Sequence, residues 1–202
     1  MKQQILYFFF ITASFLSCGN PEAADEGSSG EEGAFFPVVS YLKGQVAHVD
    51  TSLYTLIQIN KSGNAVDTVY IRREDFKNLS KPFTSLPDIT TGNLKKKYNE
   101  SRLYDETLDR FIITYTPKKA DEELEVLRQD VVITPNTGSG DQVESVYIER
   151  LVAAGDSTVQ QKMNWEVSKG FTIHSIIQKK AAPEKLQTTE VIWSGPRSAA
   201  KL

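Results

Sequence analysis

Two periods of apolar and polar residues divide the C-terminal five-sixths of this chain. Between residues 35 and 50, Phe35, Val38, Val39, Leu42, Val46 and Val49 recur at intervals of three and four. That spacing lines one side of a helix. Pro37 suits the first turn. Gly44 costs such a helix about 1 kcal/mol relative to Ala, so a close neighbour is expected there. The period then changes to two: Leu53, Thr55, Ile57 and Ile59 share one face of a strand. Turn chemistry spans Asn60 to Asn64, and Val66 to Arg72 returns as the second strand of a hairpin. A short helix is predicted over Glu74 to Ser80, closed by Pro82, and another over Asn93 to Tyr98. The stretch from 82 to 92 reads as loop.

From Arg110 the pattern is a run of strands separated by turns. Arg110 to Thr116 ends at Pro117, and Leu124 to Thr134 ends at Pro135. A Gly-rich turn, Asn136 to Asp141, precedes Val143 to Val152. Thr158 to Val167, Phe171 to Gln178 and Thr189 to Trp193 complete the series. Adjacent strands on short turns pair antiparallel. The predicted fold class is therefore α+β: an N-terminal helix packed on one large antiparallel sheet of about seven or eight strands. Val69-Tyr70-Ile71-Arg72-Arg73 and Val146-Tyr147-Ile148-Glu149-Arg150 nearly repeat. This is either two copies of one hairpin unit or ordinary strand composition, and the latter is favoured. In element order the chain is similar to the half-barrel lipoprotein carriers and to tandem helix-plus-sheet inhibitor modules, an analogy of fold alone.

The first 34 residues do not fit this pattern. Lys2 precedes an apolar run from Ile5 to Leu16, and Ser17 and Cys18 follow it. About 12 helical residues rise only ~18 Å, whereas a spanning helix needs ~20 apolar residues. A basic start, a short apolar core and small residues at its end form a secretory signal. Phe15-Leu16-Ser17-Cys18 resembles the lipobox of bacterial lipoproteins. That resemblance implies diacylglycerol on the Cys18 thiol, cleavage before it, and acylation of the new amino terminus. Gly19, in place of an Asp, implies the outer membrane of a diderm bacterium. Residues 19 to 34 hold five acids, no base and no large apolar side chain. Such a composition makes a disordered spacer. The expected organisation is a signal peptide at 1–17, the lipidated Cys18 with an acidic tether at 18–34, and one domain at 35–202.

Charge and cysteine content narrow the function. The chain has 23 bases and 26 acids; with Lys2 and the five tether acids set aside, 22 bases meet 21 acids. A domain so balanced is not a nucleic-acid binder by bulk charge. Cys18 is the only cysteine, so no internal disulfide and no cysteine nucleophile is expected.

Candidate chemistry is sparse. His48 and His174 have no carboxylate at ligand spacing, so no metal site is predicted. No Gly-x-Ser-x-Gly elbow, phosphate-binding loop or dinucleotide glycine pattern occurs; Gly138-Ser139-Gly140 reads as a hairpin turn. Asp105, Glu106 and Asp109 suit a helix start or solvated face, and Asp130 an outward strand position. Lys95-Lys96-Lys97 reads as a solvated face, with contact to anionic headgroups as the alternative. Asp67-Thr68-Val69 and Asp156-Ser157-Thr158 resemble a three-residue O-glycosylation signal of diderm envelope proteins, a pattern short enough for chance. No cofactor is implied. The expected function is a membrane-anchored, non-catalytic binding or scaffolding module with a protein partner in the envelope. The second reading is a carrier or sensor of an apolar ligand between helix and sheet. A hydrolase with an unfamiliar site ranks third.

Overall fold

The stripe at 35–50 folds as α1, Val38–Thr51, with Val38, Val39, Leu42 and Val49 buried. These features come from a computed structural model that describes residues 35–119, 123–135, 138, 140–180 and 182–194. All of them fall within one compact unit, Ala34–Leu202. Cys18, the signal and the tether lie outside the described residues. Gly44 is exposed, and no atom approaches the place a Cβ would take. The close neighbour expected there does not exist.

A hairpin follows, of β1, Thr55–Ser62, and β2, Ala65–Tyr70. Thr55, Ile57 and Ile59 do share a face, but it is not the core face. Leu56, only 3% exposed, points into the core instead. Leu53 precedes the strand and is 90% exposed.

The next helix, α2, spans Arg73–Thr84 and contains Pro82 rather than stopping before it. Proline removes the bond that its N–H would give to residue 78. Asn78 is exposed, so its carbonyl can turn to solvent. The extra turn buries Phe83 completely. A single turn, α3, Gly92–Lys95, then leads to the sheet.

Seven strands follow without interruption: β3 Tyr98–Asp105, β4 Arg110–Pro117, β5 Val126–Thr134, β6 Gln142–Ala154, β7 Ser157–Glu166, β8 Gly170–Lys179 and β9 Lys185–Ser194. With the first hairpin they make one antiparallel sheet of nine strands, in the order β2-β1-β9-β8-β7-β6-β5-β4-β3. The expected seven or eight was short by β3. That strand offers Asn99, Ser101, Arg102 and Asp105 rather than an apolar face, so it gives no strand signal of its own. The repeated pentapeptides are not two copies of one unit: the first runs from β2 into α2, and the second lies inside β6.

One row of the core face crosses the sheet through paired residues Val191, Phe171, Trp165, Val146 and Val131. The rings of α2 meet this row. Phe83 lies 5.3 Å from Trp165 and 5.2 Å from Phe171, and Phe76 packs edge-on to Trp193 at 5.8 Å. Such pairs add about 0.5–1.5 kcal/mol each beyond burial. α2 thus supplies the aromatic contacts to this row, and the buried residues of α1 belong to the same core cluster. Next to Phe171 in β8, a Cβ on Gly170 would lie 2.5 Å from the Val191 carbonyl oxygen, so β8 and β9 approach closely there only because residue 170 is glycine.

Candidate functional site

The chemistry-bearing residues of the sequence stay apart. Among the described residues, no three His, Cys, Asp or Glu side chains come together as a metal site would need. His48 packs edge-on to Tyr54 at 6.1 Å, and His174 Nδ1 is 2.9 Å from Thr188 Oγ1 on the exposed side of the sheet. Asp105 accepts from the Thr107 and Leu108 amides at 2.9 and 3.1 Å, and Asp109 accepts from the Tyr104 hydroxyl. Asp130 takes Arg128 Nε at 2.9 Å. Each acid completes a turn or an exposed ion pair. Lys95 Nζ sits 5.2 Å above the Phe35 ring, a cation–π contact. A polar chain crosses the sheet where Arg150 donates to Gln161 at 2.8 Å and to Glu125 at 3.1 Å, and Gln161 donates to Ser175 at 3.1 Å. Its members satisfy one another.

A second polar group surrounds Tyr115. Its hydroxyl accepts the Phe36 amide at 2.7 Å, and its ring lies 4.7 Å from that of Phe35. Glu100 and Gln129 pair with it on either side across the strands. Burial, opposed by the Phe36 hydrogen bond and reinforced by the nearby Glu100 carboxylate, pushes the phenol up to about 12. This corner pins the start of α1 to the middle of β4.

Of the two strands at the ends of the sheet, β2 and β3, β2 is the one exposed at every position. It ends the sheet, and all six of its residues are exposed. Its apolar side chains are large: Tyr70 is 78% and Val66 63% exposed. The hairpin geometry fixes where its backbone points. Ser62 and Ala65 close a two-residue turn, with Gly63 at φ 57° in the first central position, where Gly is favoured. Hydrogen-bonded and non-bonded pairs then alternate along the ladder. At its far end, the Ile71 amide donates to the Leu56 carbonyl at 3.1 Å, which confirms the phase. Ala65, Asp67 and Val69 thus face β1, while Val66, Thr68 and Tyr70 turn N–H and C=O toward solvent. A bare edge is commonly guarded by Lys, Pro or a bulge. β2 has none of these.

Beside this edge lies an open recess of about 410 Å³, lined by Tyr54, Thr55 and Leu56 on one side and Tyr70 to Glu74 on the other. Its wall is held by Arg73. That guanidinium donates to the carbonyls of Val49 and Ser52 at 2.9 Å each and of Tyr54 at 2.6 Å, placing a cation at the C-terminal end of α1, where it is favoured. Asp75 accepts from the Arg72 amide and Nε, both at 3.3 Å, which anchors the first turn of α2. Both guanidinium groups thus reach neighbouring oxygens, Arg73 through three carbonyls and Arg72 through Asp75.

Comparison of the chain with protein-family models, with curated proteins and with solved structures finds no match. The edge was not singled out as a site in the sequence. Its signal was there: a run from Ala65 to Tyr70 with one charge, after a glycine-containing turn, reads equally as an interior strand until its neighbours are placed.

Proposed function

We propose that the chain is a lipid-anchored module of the bacterial cell envelope with a binding or scaffolding task, and that β2 is its binding edge. The observation that carries the binding role is a six-residue terminal strand exposed on both faces, with outward backbone groups at Val66, Thr68 and Tyr70. An edge of this kind takes an added strand: main-chain hydrogen bonds supply affinity, and side chains on alternate positions supply specificity. The anchor rests on Cys18 and the residues before it, and the outer membrane on Gly19. Two acyl chains hold a protein stably on a bilayer, and the acidic stretch 19–34 serves as a spacer.

The carrier reading comes second. The recess of about 410 Å³ is within the size range of small-molecule sites, and a helix with a large antiparallel sheet resembles the half-barrel carriers in element order alone. The recess, however, lies at the sheet edge. Under α2 the rings of Phe76, Phe83, Trp165, Phe171 and Trp193 meet one another.

The anchor is tested by Cys18→Ser in the full chain: the expected result is release from the membrane fraction or an unprocessed precursor. Membrane fractionation and gel mobility equal to wild type would overturn the lipoprotein reading. Native mass spectrometry of the full chain decides between module and carrier, since a retained apolar molecule of defined mass would favour the carrier.

A further inference from the structure

We propose that the occupant of the β2 edge is the β2 edge of a second copy, paired antiparallel about a two-fold axis at Thr68. This rests on the reading of β2 as the binding edge and goes one step further, to the partner. The argument is one of self-complementarity. A two-fold axis through the face of a sheet pairs residues of equal parity, so the axis must pass through a residue. Centred on Thr68, the pairs are Thr68 with Thr68, Val66 with Tyr70, and Asp67 with Val69.

Three consequences agree. First, Val66, Thr68 and Tyr70 are the residues whose backbone groups point outward, and this register sets each against another member of the same set. Second, the exposed apolar side chains meet: Val66 covers Tyr70 twice, next to Ile57, which pairs with Tyr70 within one copy. Third, the register carries Ala65 against Ile71 and Asn64 against Arg72. The hairpin tip of each copy therefore arrives at the rim of the other's recess, which Ile71 and Arg72 help to line. Centring on Asp67 instead would set two carboxylates directly opposite, a destabilising pair.

A pairing of a few residues buries less than the ~1,000 Å² typical of stable interfaces. The dimer is accordingly weak in free solution. Confinement on one membrane surface would raise its effective concentration.

The test uses the full chain anchored in its membrane, with Cys18 kept because an acylated thiol does not react with maleimide and no other cysteine is present, and a short bis-maleimide cross-linker; the chain with no added cysteine is the control. Thr68→Cys is expected to form a cross-linked dimer, at least tenfold faster than Val66→Cys or Tyr70→Cys alone. Each of those stands four residues, about 14 Å, from its own copy. Mixing Val66→Cys with Tyr70→Cys is expected to restore linkage. The proposal is overturned if Thr68→Cys links no faster than Val66→Cys while circular dichroism shows the variants folded. Loss of linkage together with capture of an unlike protein at residue 68 would overturn the second copy as partner and leave β2 as the binding edge. No linkage to any protein in the envelope would remove both.

Discussion

Tyr115 shows how much one side chain can hold. It is fully buried, accepts the Phe36 amide, and joins the chain before α1 to the fourth strand of the sheet. Its ordinary value of 10.0 is pushed up to about 12, so the folded state holds the phenolic proton more tightly than the unfolded state. Stability is therefore complete below pH 10 and is lost as pH rises toward 12. Tyr115→Phe is expected to lower stability at pH 8 by about 1–2 kcal/mol through the lost hydrogen bond. It should also flatten the decline between pH 10 and 12, as read by urea denaturation across that range. Equal slopes for the two proteins would refute this assignment. The aromatic was visible in the sequence as one of many. Its role was not, because its partner lies 79 positions away. The same holds for Arg73, whose three carbonyl partners are set by the path of the chain after α1.

The second helix shows what element-level reading captures and where packing overrides it. The start near Glu74 was legible, since acids favour a first turn and Asp75 reaches back to Arg72. The end was not, because local chemistry places a stop at Pro82 while Phe83 gains a full socket beyond it. Phe83→Ala is expected to cost about 3–5 kcal/mol, measured by chemical denaturation. A loss below 1 kcal/mol would mean that the last turn contributes little. β3 fails to announce itself for the opposite reason. Glu100 and Arg102 lie on the same side as Tyr98, joined by a 2.7 Å contact, so polar residues occupy the face where a strand signal would be sought. Its pairing with β4 over eight residues, rather than its own composition, makes it a strand.

At the scale of the whole molecule, the meander from β4 to β9 could be read from its turns, because each strand pairs with the next. The closure of β1 on β9 could not. Lys61 and Glu190, an ion pair at 3.5 Å, are 129 positions apart, and no local pattern encodes such a register. Amide hydrogen exchange is expected to grade across the sheet, with β6 to β8 slowest. Within β2 it should alternate: at low concentration Val66, Thr68 and Tyr70 exchange fast, while Asp67 and Val69 are protected. Uniform protection along β2 in dilute protein would contradict the phase assigned to the hairpin.

The β1–β9 seam also has a consequence in time. The first hairpin is made early in synthesis, yet its inner edge has no partner until the last ten residues of the sheet arrive. Non-local pairing of this kind is slow to form. A chain halted before Lys185 would leave the β1–β2 hairpin and the β3–β8 meander as separate pieces, with four bare edges in place of two. Until synthesis is complete, then, the nascent chain exposes twice the strand edge that the finished fold leaves open.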